Sequence, residues 1–387
     1  MRTEFIQSLA DIPAAQWDAV WDTDYPFVKH AFLLALEQSG CTTATTGWQP
    51  HHCLAWDCAT LVGALPLYIK EHSYGEYVFD WSWANAYHQT GTPYYPKLVN
   101  AIPFTPATGP RWAASDSGVL AKMWDAALAD VSRLEISSLH CLFPASPPNH
   151  LQFLQRLDCQ YHWFNQGYAE FNHFLDTFAS RKRKNINKER AKIREQGFSV
   201  AMVEGRDLTE SNWQNFYRLY RRTYRKRSGH DGYLNGDFFQ SIGATMRDSI
   251  VMAVATQGGE QVAAALYFKD ARTLYGRYWG AQEEFDGLHF ECCFYQGIEY
   301  AIQKGLQRFD PGAQGEHKIL RGFTPVLTQS FHFLQDERFA AAIARFLHQE
   351  TQQVLHYCED ARQVLPFKDG QPLTPRDFLI RLNENDL

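Results

Sequence analysis

The chain has no long apolar run: nowhere among its 387 residues do ~20 apolar residues follow one another, as a bilayer-spanning helix requires. Its opening, Met1-Arg-Thr-Glu-Phe-Ile-Gln-Ser-Leu-Ala-Asp11, lacks the basic start and unbroken apolar stretch of a secretory signal. A cytoplasmic protein without a transmembrane segment is therefore expected. The eight cysteines show no paired C-x-x-C spacing, which argues for reduced core thiols against a zinc site or a disulfide frame. Missing too are the Gly-x-Ser-x-Gly elbow, the His-Glu-x-x-His helix and the Walker lysine loop, which excludes the commonest hydrolase, zincin and nucleotide-triphosphatase chemistries. His289-x-Glu291 supplies half of a zinc-deaminase signature, but Cys292 and Cys293 are adjacent and cannot supply the Pro-Cys-x-x-Cys half. No metal site is expected.

What is plentiful is aromatic: 27 Phe, 19 Tyr and 11 Trp suit a packed globule with aromatic-lined clefts. At this length two packed domains are the default. The net charge of −6 hides a basic segment, Arg181 to Arg227, with 15 Lys/Arg against 5 Asp/Glu. That segment is a candidate polyanion-binding face, the plainer reading being a solvated helix surface.

In the second half, Ile250–Thr256, Gln261–Lys269 and Thr273–Gly280 read as an antiparallel meander with a turn at Gln257-Gly-Gly-Glu260. Phe290, Phe294, Ile298, Ala301 and Ile302 then recur at helical spacing up to Gly305, and Leu306–Asp310 reads as another strand. About two hundred residues earlier the same β-β-β-α-β order recurs more weakly, through His51–Trp56, Leu61–Lys70, Glu76–Trp83, helix Ser117–Val131 and Arg133–Leu139. Val62-Gly-Ala-Leu-Pro-Leu-Tyr68 answers Val262-Ala-Ala-Ala-Leu-Tyr-Phe268, so one αβ unit is inferred to be duplicated. The turn-rich Phe143–Asn149 marks the boundary, giving domains 1–148 and 149–335. Residues 336–387 follow, with an amphipathic helix at Arg338–Val364 whose apolar face is Phe339, Ile343, Phe346, Leu347, Val354 and Leu355.

This order resembles the GNAT acyltransferase fold, and two copies in tandem resemble the Fem family of peptidoglycan aminoacyltransferases. The basic run Arg181-Lys-Arg-Lys-Asn-Ile-Asn-Lys-Glu-Arg-Ala-Lys-Ile-Arg-Glu-Gln-Gly197 and the segment Phe309-Asp-Pro-Gly-Ala-Gln-Gly-Glu-His-Lys-Ile-Leu-Arg-Gly-Phe323 carry the likeness. Phe79–Tyr87, Pro103–Arg111, Tyr275–Gly280 and Leu288–Glu291 are similar to the bacterial Fem-like N-acyltransferases over nearly the whole chain. The fold expected is accordingly α/β, in α+β mixed sheets, as two tandem GNAT-like domains. Two departures leave the donor open between acyl-CoA and aminoacyl-tRNA, neither expected to be held as a tight cofactor. No heptad stretch can form the Fem coiled-coil arm, and the loop Ala281–Gly287 lacks the glycine-spaced basic loop that cradles coenzyme A.

Acyl transfer to an amine needs a proton acceptor, a cation or N–H donors for the developing oxyanion, and aligned reactants. The resemblance places Lys318 beside the reacting carbonyl, with Arg321 as a donor-phosphate contact. Glu291, His289 and Asp310 are the candidate bases, and Gly312 and Gly315 can admit backbone N–H groups to an anion. Arg181, Lys182 and Lys184 are assigned to the donor. In the first half, Trp81, Trp83, Tyr87, Tyr95 and Lys97, with Arg111 as an anion contact, form a candidate acceptor wall for a small-molecule amine or cell-wall precursor. The alternative function is a non-catalytic nucleic-acid or polyphosphate binder using the 181–227 face. The sequence leaves the oligomeric state open.

Overall fold

Gly258 and Gly259 both take positive φ, 59° and 86°, and so close the two-residue turn between strands Ile250–Gln257 and Glu260–Lys269. The computed structural model describes residues 1–148, 152–313 and 315–368. Asn149 of the proposed boundary, Gln314 and the end of the 336–387 segment lie outside the described residues.

The chain divides into two units, one of Met1–Asp158 with Thr328–Leu355, the other of Cys159–Leu327 with the described residues 356–368. The division does not follow the linear one at 148 and 335. It crosses inside the strands Leu154–Phe164 and Thr324–Leu334, which the sequence pattern had not marked.

In the second unit, Phe198–Glu204 adds an outer strand to the expected meander, which ends in Thr273–Ala281. The following helix, Leu288–Phe290, passes through a π turn at Glu291–Tyr295 into Gln296–Gln303. The chain then returns as a short strand, Arg308–Asp310, parallel to the start of Thr273–Ala281 and antiparallel to Phe164 and Trp163. The small residues Ala253, Ala255, Ala263 and Ala265 let Tyr267, Tyr295, Phe309 and Phe323 fill one apolar core around this sheet.

In the first unit the expected strand Leu61–Lys70 is cut at Pro66. Its halves, Thr60–Leu65 and Tyr68–Lys70, enter different sheets, since proline has no N–H to give a ladder. The expected strand Glu76–Trp83 is not formed. Asp80 precedes a helix, Trp81–Gln89, and Lys97–Asn100 takes the third-strand place. That strand lies antiparallel to Tyr68–Lys70 and parallel to Ser138–Leu142, which stands where Arg133–Leu139 was expected. Between them runs helix Ser117–Arg133, started by Asp116, whose carboxylate accepts from Gly118 N and Val119 N. Each unit thus closes a GNAT-like order of antiparallel strands, helix and parallel strand. The last helix, Glu337–Gln363, has Phe339 stacked on Tyr87 at 3.7 Å and Ile343 and Leu347 buried, whereas Phe346 is exposed rather than on the buried face.

Candidate active site

The parallel ladder in the second unit stops at Tyr275–Asp310, while Thr273–Ala281 continues, so the two strand ends part at Asp310. A β-bulge sharpens this. Pairing with Glu260–Lys269 passes from Leu266–Tyr278 to Tyr267–Gly276, leaving Arg277 as the extra residue and re-aiming its side chain. Gly312 follows at φ 89°; a Cβ there would stand 3.2 Å from Gly276 O and 3.7 Å from Arg277 Nη1. Only glycine suits that approach.

Lys318 lies on the short 3₁₀ helix Glu316–Arg321, preceded by Gly315 at φ 107°. It is 2% exposed, and its ammonium donates to Gly312 O at 2.6 Å. Burial pulls it down to about 8 against the opposing pull of Asp310, with Arg277 adding to the fall. Asp310 is 1% exposed and accepts the Gly312 N–H at 2.9 Å. Burial pushes its carboxyl up, but His162, Arg277, Arg308 and the Gly312 N–H outweigh this and hold it below the usual aspartate value. The expected cation, carboxylate and glycine are therefore brought together, and Arg277 and His162 join them.

Glu291 and Arg321 are placed otherwise. Glu291 receives Nε and Nη2 of Arg190 at 2.9–3.2 Å and the Gln296 amide at 2.7 Å, so the carboxylate fixes the π turn to the basic helix Ser180–Glu195. A carboxylate so saturated is a structural tie rather than a free base, which corrects the expectation. Arg321 gives Nη1 to His317 O and Nη2 to Glu189, and its guanidinium lies 3.4 Å from the centre of the Phe290 ring. It ties the 3₁₀ helix to Glu189 and the Phe290 ring instead of standing free for a phosphate. His289 sits in a ring cluster with Trp279, Phe294 and His317. Burial pulls it down to about 3, helped by Arg227, His317, Arg321 and Lys318, so it is neutral and has no carboxylate to orient it. Arg181 and Lys184 are exposed and Lys182 half-buried on the basic helix, without an ion-pair partner among the described residues.

In the first unit, Lys97 is buried beneath Glu76 at 2.8 Å, Asp80 at 2.5 Å and Ser73 at 2.8 Å. Tyr94 donates to Asp80, Tyr95 bonds Ser73, Trp83 packs edge-on to His332, and Tyr87 stacks on Phe339. Of the expected acceptor wall only Trp81, 40% exposed, stands open, beside Tyr74 and Phe79. Arg111 donates to Leu142 O, Pro110 O and Ala107 O and is 1% exposed. It pins a loop to a strand, and the expected anion contact is corrected accordingly. Lys97, Tyr94 and Tyr95 find polar partners inside, and Trp83 and Tyr87 are packed by neighbouring rings, which spacing alone does not reveal.

Sequence reasoning missed His162, Arg277 and Arg190. His162 was within reach: Gln160 and His162 alternate with Tyr161 and Trp163, a period-two pattern that puts polar side chains opposite the aromatic core face.

The two units are a duplicated GNAT-like fold, the fold of the acyltransferase class that the sequence resembles, with a buried cation and carboxylate at the parting of two parallel strands in the second. The FemAB-like family model, described as peptidoglycan biosynthesis and recognition, matches residues 8–369, and the chain belongs to that family. No curated protein matches it by sequence. Among solved structures, FemX is 12% identical, with 89% of this chain and all of that chain covered at a TM-score of 0.49. A tandem GNAT protein from the clavulanic acid biosynthesis pathway is 9% identical (86% and 98% covered, TM-score 0.42), and L-PGS from Bacillus licheniformis 10% (85% and 98%, 0.44). No described helix is long and apolar enough to cross a membrane.

Proposed function

We propose that the chain moves an acyl or aminoacyl group from an activated donor, acyl-CoA or aminoacyl-tRNA, to the amino group of a small molecule or cell-wall precursor. The reading rests on the buried Lys318 ammonium beside Asp310. Its N–H bonds go to Gly312 O at 2.6 Å and to Ala313 O at 3.5 Å, which leaves one donor for the oxygen that becomes negative as the amine attacks. Asp310, an acceptor only, holds an N–H of the incoming amine, and Gly312 lets the chain approach closely enough for both. Exposed Arg181 and Lys184, with Lys182, support a phosphate-bearing donor.

Thermal melting with coenzyme A thioesters and with an aminoacyl-tRNA tests the donor. One held at a hundred times its Kd stabilises the chain by about 2.7 kcal/mol. A shift with only one of them identifies the donor, and no shift with either contradicts the proposal.

A further inference from the structure

His162 Nε2 and Asp310 Oδ1 face each other at 3.6 Å, beyond hydrogen-bond reach, and both side chains are buried, at 3% and 1% exposure. His162 Nε2 and the second carboxylate oxygen, Oδ2, have no hydrogen-bond partner among the described residues. Buried polar atoms are nearly always paired, since each one left bare costs about 1–3 kcal/mol. The charged groups around the imidazole are Asp310 and Arg308 on the short parallel strand and Lys318 on the 3₁₀ helix; Arg277 reaches Asp310 from the bulge. Burial pulls the ring down to about 4, so near neutrality it is uncharged, and in its Nδ1–H tautomer Nε2 carries a free lone pair. In that tautomer Nε2 and the ionised carboxylate are two acceptors turned toward each other, with no donor between them among the described residues. What satisfies both is a group with at least two N–H bonds. A nitrogen about 2.9 Å from each fits at the apex of a triangle on the 3.6 Å base.

Resting on the acyl-transfer reading above, we propose that the acceptor is a primary amine whose nitrogen seats between His162 and Asp310, and that His162 is the base that takes its proton. The nitrogen lone pair forms the bond to the acyl carbon while Lys318 faces the oxygen. An N–H proton passes to His162 Nε2, the C–O bond of an ester donor or C–S bond of a thioester breaks, and the imidazolium returns the proton to the leaving oxygen or sulfur. Bonds and charge balance with no further reactant. Asp310 holds the amine and stabilises the imidazolium.

The test uses the full chain with acetyl-CoA or alanyl-tRNA as donor and hydroxylamine as acceptor, reading hydroxamate. His162→Gln keeps the shape without a basic nitrogen. It is expected to lower kcat about a hundredfold with the donor KM within about threefold. His162→Gly is expected to regain at least tenfold with added imidazole, which a merely structural histidine would not show, and melting curves establish that both variants fold. A His162→Gln enzyme within threefold of wild type overturns the inference and leaves the transfer reading intact. Wild type that forms no hydroxamate from either donor overturns the transfer reading, and this inference with it.

Discussion

At the scale of single residues, charges inside the second unit do different jobs according to their neighbours. Glu291, paired with Arg190, holds a helix turn; Asp310 faces the His162 imidazole across 3.6 Å, the gap in which the acceptor amine is proposed to sit. Glu291→Gln is therefore expected to cost about 1–2 kcal/mol of stability by weakening the tie to the half-buried Arg190, which keeps Glu299 as a partner, read as a lower melting temperature, while the remaining folded enzyme keeps its kcat. Lys318 carries the opposite signature. Its value lies near 8 in the folded chain and 10.5 when unfolded, a gap worth about 3 kcal/mol. Between those values the unfolded chain binds the extra proton, so stability rises with pH across that window. Melting temperatures measured from pH 7 to 11 are expected to show the rise in the wild type and to lose it in Lys318→Met.

At the scale of elements, one glycine decides how closely a helix meets the sheet. A Cβ on Gly280 would stand 2.4 Å from the backbone nitrogen of Tyr220, on helix Glu210–Ser228. Backbone cannot rotate aside, so Gly280→Ala is expected to cost about 2–3 kcal/mol, read by calorimetry. The meander, the basic helix and the Asp310–Lys318 loop were legible because glycines, alternation and cation spacing are local signals. Glu76–Trp83 was misread for a physical reason. Val78, Asp80, Ser82 and Phe79, Trp81, Trp83 alternate as a strand would, but Asp80 is held by Lys97 and Tyr94, from farther along the chain, and the helix starts after it. Arg111, Arg321 and Glu291 looked like ligand contacts because a sequence shows a charge without its partner. His162 was passed over because its strand crosses from one unit to the other and pairs far along the chain, with Phe309 beside it opposite Trp163.

At the scale of the whole molecule, the net charge of −6 coexists with a basic helix whose Arg190 is tied to Glu291 while Arg181, Lys182 and Lys184 have no ion-pair partner among the described residues. Replacing those three by Glu is expected to weaken tRNA binding and to flatten the log K against log salt slope by roughly 2. An unchanged slope would remove them from the donor site. In the first unit, Lys97 is raised above the usual lysine value because the attraction of Glu76 and Asp80 outweighs burial. Its stabilisation is thus full below the ordinary lysine value and is lost as pH climbs past the folded one. The proposed transfer requires Lys318 to keep its charge, and the kcat–pH profile of the wild type beside Lys318→Arg and Lys318→Met tests that most directly. The expected result is a wild-type rate that falls above pH of about 8, a fall displaced upward in the arginine variant, whose charge persists, and turnover nearly abolished in a folded methionine variant. A methionine variant with wild-type kcat and an unaltered profile would contradict the account.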